Sequence, residues 1–307
     1  MFSRLNSSLC SYLRGFICAV GLVVALIAAL ALTGPPAGAQ APAAQSSTTQ
    51  PGVTQPAGTK PVNKSLAHLT GFNVVELRRY TTTDGERDNF ARYFENYFPD
   101  AFQQQGAIIF GQGSEEGKAN AFTWLRGFHS TDDRAKLSAA FYYGPLWKER
   151  SETMNSRLVD HTNVLLLKPL RPERAVTVLP VVDPVREAAG AQGSLLLQIF
   201  TVKTGSVDAL AAQVEPAFAR YRGAGLREAG VLVTLDAVNN FPQLPYRTDG
   251  PYLVWLGIAK DAQAVERFRT IAQQTANTLL DGGMLRSAPE TVVLRPTARS
   301  RLRWLAE

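Results

Sequence analysis

A chain of 307 residues with an apolar fraction of 45% and a formal charge of +6 is long enough for two domains with buried cores. Its two cysteines, Cys10 and Cys18, both fall in the first 40 residues, which excludes disulfides, cysteine nucleophiles and thiolate-metal sites from the body behind them. No Lys/Arg-rich block marks a nucleic-acid surface, and Arg295, Arg299, Arg301 and Arg303 read as a solvated C-terminal end.

Residues 15–32, GFICAVGLVVALIAALAL, carry no charge; Arg4 and Arg14 precede them and Ala37-Gly38-Ala39 follows. Basic flank, apolar stretch and small-residue exit are the layout of a signal peptide, here residues 1–39, cleaved before Gln40. The expected location is periplasmic or secreted. The apolar stretch is also just long enough to span a bilayer, so an uncleaved leader would leave the body membrane-anchored through residues 15–32. Residues 40–62 hold almost no large apolar group and read as a flexible linker.

The first folded unit is expected over 63–171. Val74 to Tyr80 alternates as a strand, with Val75, Leu77 and Arg79 on a face assigned to the helices and Val74, Glu76, Arg78 and Tyr80 on the other. Thr81 to Gly85 is the turn. Phe90, Tyr93, Phe94, Tyr97 and Phe98 then recur at helical spacing within 86–104, as a stripe expected to pack in the core, and Pro99 either ends or kinks that helix. A short strand at 107–110 leads into a polar connection from Gly111 to Lys118, where Glu115 and Glu116 are expected in solvent. Ala121 to Phe128 is a strand with Phe122, Trp124, Arg126 and Phe128 on one face. Ser130, Asp132 and Asp133 start a helix through Arg134 and Phe141; Gly144-Pro145 breaks it, and a short helix resumes through Met154 and Leu158. Asn163 to Lys168 is the last strand. The order is β-α-β-β-α-β, the ferredoxin-like arrangement.

Residues 172–192, with three prolines, read as a linker to a second unit over 193–303. Strands are expected at 194–202, 231–235, 252–258 and 292–294, with helices at 207–221, capped by Ser206, and at 261–280. Gly85 and Gly205 lie 120 residues apart and Gly127 and Gly257 lie 130 apart, as an internal duplication predicts. The fold class is therefore α+β: tandem ferredoxin-like units that cover each other's sheets in one intramolecular, dimeric α/β-barrel-like body, which removes free sheet edges.

Aligning the units at the turn glycine sets Glu76, Arg78 and Tyr80 against Leu196, Gln198 and Phe200; aligning the third-strand glycines sets Trp124 and Arg126 against Val254 and Leu256. The first unit is thus expected to point charge into a barrel interior that the second fills. Glu76, Arg78, Tyr80, Trp124, Arg126 and Phe128 form the candidate ligand-binding set, suited to a small planar or anionic hydrophobic ligand; the competing reading is a structural Glu76–Arg78 pair at the sheet rim. His68, His129 and His161 match no metal spacing, so no metal or other cofactor is expected. His129 is a candidate base near the cavity mouth and Tyr80 a second candidate for handling a proton. No nucleophile elbow and no phosphate-cradling loop is present.

Glu76-x-Arg78-x-Tyr80, the turn at Gly85, the strand from Trp124 to Phe128, Ser130 with Arg134, and Gly144-Pro145-x-Trp147 together resemble the NIPSNAP family, over about 110 residues of the first unit. The resemblance implies ferredoxin-like halves whose sheets pack into a barrel, usually by dimerisation, and a molecular role that is largely unsettled. Related barrels include monooxygenases of quinol-like or phenolic substrates and haem-binding enzymes; no axial haem ligand is identifiable here. Three functions compete: an exported binding protein, a cofactor-free monooxygenase or isomerase using Arg78 or Arg126 to hold an enolate or phenolate, and an interaction module tethered to the membrane by a retained leader. The sequence does not fix a homo-oligomeric state.

Overall fold

The computed structural model describes residues 66–305 apart from 204 and 206, so the expected signal peptide over 1–39, the expected flexible linker over 40–62 and the expected Ser206 cap lie outside the described residues. Among the described residues no helix is long and apolar enough to cross a membrane.

The chain runs β1 (Ala67–His68), β2 (Val74–Thr82), α1 (Arg87–Gln104), β3 (Ile108–Glu115), β4 (Ala121–Phe128), α2 (Thr131–Tyr142), α3 (Pro145–Asn155) and β5 (Leu158–Pro169). A 3-10 turn at Pro172–Arg174 and β6 (Thr177–Val178) lead to β7 (Ser194–Thr201), α4 (Val207–Gly223), β8 (Arg227–Thr234), β9 (Tyr252–Ala259), α5 (Ala262–Asp281) and β10 (Glu290–Pro296). Eight of these strands close an antiparallel barrel in the order β10-β3-β4-β2-β5-β8-β9-β7, and β1 and β6 form a separate ribbon. Two ladders join the halves, β3 with β10 and β5 with β8. The halves share a local irregularity too: β3 bulges between Ile109 and Gly111 against β4, and β8 bulges between Glu228 and Gly230 against β9.

The alternation of β2 is as expected, but its direction is reversed. Val75 and Leu77 join Phe110, Leu125, Leu165, Leu197, Val254 and Leu294 in a cluster that draws on all eight barrel strands and on no helix: the barrel interior. Val176, Val178 and Leu302 enter the same cluster from the segment between the halves and from the C-terminal tail. Each such side chain taken out of water is worth about 1.5–3 kcal/mol, and among the described residues these side chains make the interior a hydrophobic core. Glu76, Arg78 and Tyr80 point to the outer face, under α1, α2 and α3. There Tyr80 joins Phe90, Phe94, Phe98, Phe102, Trp124, Phe141 and Met154 in a second cluster. The outer face of the other half is covered by α4 and α5.

Other expectations are corrected. β3 continues through Gly111 to Glu115, and Glu115 is buried rather than solvated. Burial alone would raise its carboxyl, but hydrogen bonds from Arg79 hold it down to about 2. Arg79 faces the interior side, where it also reaches Glu290 at 2.7 Å. Leu158 starts β5 rather than ending a helix. Arg299, Arg301 and Arg303 are not a solvated end. Arg299 donates to the Glu95 carbonyl (2.8 Å), Arg301 to the Leu179 carbonyl (3.0 Å), and Arg303 grips the Glu187 carboxylate through two nitrogens at 2.7 and 2.6 Å.

Candidate functional site

The outer rows of β2 and β4 are set side by side by their antiparallel register, Glu76 opposite Arg126, Arg78 opposite Trp124 and Tyr80 opposite Phe122. Ser130 caps α2 by accepting from the Asp133 N–H at 3.0 Å, which starts the helix in the phase that turns Arg134 inward. Glu76 thereby accepts from three guanidiniums: Arg78 Nη1 at 2.8 Å and Arg126 Nε at 2.7 Å on Oε2, and Arg134 Nε at 2.6 Å on Oε1. All four side chains are at most 1% exposed. Burial would raise the Glu76 carboxyl; Arg126, Arg78 and Arg134 reverse this and hold it far below the ordinary carboxylate range. This is a buried hub rather than a pair at the sheet rim.

Beside the hub, between the outer sheet face and α1–α3, lies a cavity of about 290 Å³. Arg78, Tyr80 and Trp124 form its polar floor, and Phe94, Phe98, Phe102, Phe141 and Trp147 its walls. A cavity of ~150 Å³ holds one benzene ring, so this one has room for two fused rings. The second half supplies Phe241 and Leu244 from the β8–β9 connection. That connection is laid along β5 by hydrogen bonds from the Leu235 N–H to the Leu166 carbonyl (3.0 Å) and from the Arg247 N–H to the Val164 carbonyl (2.8 Å). Arg134 ties it to the hub, donating to Asn239 Oδ1 and to the Leu244 carbonyl, both at 3.1 Å. Exposed lining residues, Tyr143, Asn155, His161 and Gln243, mark the mouth.

Three of the six expected ligand residues, Arg78, Tyr80 and Trp124, line this cavity, while Glu76, Arg126 and Phe128 do not. Arg126 lies one layer back, against the rings of Phe102, Trp124, Phe128 and Tyr142 at 4.8–5.8 Å. His129 is not at the mouth. Its Nδ1 donates to the Gly71 carbonyl at 2.8 Å and its ring stacks on Phe72 at 4.2 Å, which ties it to the segment preceding β2. His161, edge-on to Tyr80 at 6.2 Å, takes the place expected for His129. A strand expected to begin only at Asn163 leaves His161 outside it, whereas β5 begins at Leu158 and carries His161 beside Tyr80. Tyr142 and the 241–244 roof were not among the expected site residues; the aromatic run Phe141-Tyr142-Tyr143 just before Gly144-Pro145 was the available signal for the first.

Arg78 donates Nε to the Tyr80 hydroxyl at 2.8 Å, so the phenol proton is left to point elsewhere. Burial pushes the Tyr80 phenol up, which keeps it a neutral donor rather than a base. Among the described residues, Arg126 Nη1 and Nη2 and Trp124 Nε1 are buried without a partner, and no group of His, Asp and Glu is placed to hold a metal.

The second half has no such hub. Leu196 pairs with Gly257 as Glu76 pairs with Arg126, so Arg126 corresponds to Gly257 and Trp124 to Trp255. The alignment on Gly127 and Gly257 is one residue out, because the two glycines face opposite ways. A Cβ on Gly127 would meet Phe110 of the interior at 2.3 Å, whereas one on Gly257 would meet the outer Trp255 ring at 2.0 Å. Asp261 caps α5 as Ser130 caps α2, which sets Val265 in the place of Arg134. Glu, Arg, Arg and Arg thus become Leu196, Gln198, Gly257 and Val265.

The sequence model of the NIPSNAP family matches residues 75–172, the half that holds the cavity. No curated protein matches the chain. Among solved structures, an uncharacterized NIPSNAP-like domain protein from Burkholderia xenovorans is 22% identical, over 33% of this chain and 87% of its own, with a TM-score of 0.30. An anthrone oxidase-like protein is 12% identical over 78% of this chain and 100% of its own, with a TM-score of 0.48. A candidate monooxygenase from Lactobacillus acidophilus NCFM is 13% identical over 75% and 97%, with a TM-score of 0.47.

Proposed function

We propose that this chain, whose residues 75–172 match the NIPSNAP family model, is an exported binding protein for a small planar aromatic anion, held in the cavity under α1–α3. Export rests on the leader, and the ligand class on the floor of the cavity. Arg78 keeps its charge at any working pH. Among the described residues its Nη2 donates to no acceptor, and the Tyr80 proton beside it is free as well. Two adjacent donors at the end of an aromatic slot suit one carboxylate or phenolate with its ring stacked in the walls. The single observation that carries the reading is this permanent cation on the floor of a largely aromatic pocket.

Titration calorimetry with 1-naphthoate and its neutral amide tests it. The acid is expected to bind at least about tenfold more tightly than the amide, and Arg78→Met to remove that preference. Equal binding of acid and amide, or an unchanged preference in Arg78→Met, would overturn the proposal. The same donor pair would stabilise an enolate or phenolate, the charge that a cofactor-free oxygenation develops, so oxygen uptake measured with the bound ligand separates a carrier from an enzyme.

A further inference from the structure

The hub buries three guanidiniums around one carboxylate, which leaves a surplus of two positive charges out of water. Arginine does not shed its proton to relieve this. Buried charge is retained where opposite charge or a full set of acceptors meets it. Arg134 has such a set in Glu76, Asn239 and the Leu244 carbonyl. Arg126 has one acceptor, Glu76, and its Nη1 and Nη2 have none among the described residues. The rings around it attract a cation through their faces, but they are neutral and leave the surplus in place.

The second half supplies an internal control. The same sheet-and-helix packing stands there on Leu196, Gln198, Gly257 and Val265, with no charge at any of the four places. The fold does not need the surplus, and a buried ion cluster exchanged for apolar groups of similar volume is often no less stable. The surplus also adjoins the cavity. Arg78 lies on its floor and shares the Glu76 Oε2 acceptor with Arg126. Phe102, Trp124 and Tyr142, which pack on the Arg126 guanidinium, also line the cavity. The Arg126 guanidinium thus lies 4.8–5.8 Å from the centres of rings that line the cavity, and a buried charge at that depth acts on a ligand with less screening than a charge in bulk solvent.

We infer that the ligand is a planar aromatic dianion, its two negative charges grouped at the end that meets Arg78 and matched by Arg78 and Arg126 together. An aromatic phosphate monoester and an aromatic vicinal dicarboxylate share this chemistry. The inference rests on the binding role proposed above and adds the charge of the ligand to it.

The test is a pair of probes of one shape and different charge, 1-naphthyl phosphate and 1-naphthyl sulfate, titrated into the whole protein at pH 8. The phosphate is expected to bind at least about tenfold more tightly than the sulfate. Arg126→Met is expected to bring the two together by weakening the phosphate alone, whereas Arg78→Met weakens both. Naphthalene-1,2-dicarboxylate against 1-naphthoate repeats the comparison for carboxylates and shows which dianion fits better. Equal affinities of phosphate and sulfate, and of dicarboxylate and monocarboxylate, in the wild type would overturn the dianion while leaving the binding role intact. Binding of none of the four would overturn the role and the inference with it. The wild-type ratios decide the matter even if Arg126→Met does not fold.

Discussion

Glu76 is the residue on which the hub turns, since three buried guanidiniums share its two oxygens. Replacing it with Gln removes the one opposite charge and is expected to destabilise the protein by about 3–5 kcal/mol at pH 7, read from urea unfolding. The pH dependence has a definite sign. A carboxyl held below its ordinary value, here near 4.5, contributes stability that is complete above that value and is lost as pH falls toward the lower folded-state value. The gap between wild type and Glu76→Gln is therefore expected to be widest above about pH 4.5 and to narrow at lower pH; a gap that is constant down to pH 3 would refute this account of Glu76. The spacing Glu76-x-Arg78-x-Tyr80 showed that these side chains share a face, but not which face. Period-two alternation with apolar residues on both sides is symmetric. β2 is buried on both sides, by the opposite wall of the barrel and by the helices, and only the tertiary packing decides between them.

At the scale of elements, α1 runs unbroken through Pro99, although a proline cannot donate to the carbonyl four residues back. That carbonyl, Glu95 O, accepts instead from Arg299 Nη1 at 2.8 Å, while the Glu95 carboxylate accepts from the Arg299 N–H, Gln112 and Thr297. The C-terminal tail thus completes a helix about 200 residues earlier in the chain. Arg299→Ala is expected to cost about 1–3 kcal/mol in thermal or urea unfolding. In a Pro99→Ala background the restored N–H competes for the same carbonyl, so the cost is expected to shrink by at least about 0.5 kcal/mol; strict additivity in this double-mutant cycle would disprove the compensation. No local reading of 86–104 contains Arg299, so the sequence left Pro99 open between a stop and a kink. The glycine alignment failed for a related reason. Gly127 and Gly257 each make room for a ring, but on opposite faces of their strands, and a glycine does not announce which neighbour needs the space.

At the scale of the whole molecule, closure of the barrel was legible because the element order repeats, and a ferredoxin-like sheet leaves one face to be covered. The two ladders between the halves make a further prediction. β5 stands to β2 as β10 stands to β7, and the bulged β3 corresponds to the bulged β8. The junctions β10–β3 and β5–β8 are therefore the same contact made twice. A fragment of residues 66–175 exposes both edges, and a second copy of the fragment presents the strands that fit them. Such a fragment is expected to run as a homodimer in light scattering rather than as a folded monomer, because an open pair of edge strands over an apolar interior is not left in water. Its affinity for 1-naphthoate is expected to fall below that of the whole chain. The partner copy brings only the short β3–β4 connection, residues 116–120, where the second half brings the long 235–251 connection that carries Phe241 and Leu244 over the cavity. A folded monomer would show that the halves are not interchangeable at the junctions. A dimer of undiminished affinity would show that the roof is not part of the site, and that the second half serves the first only by closing its barrel.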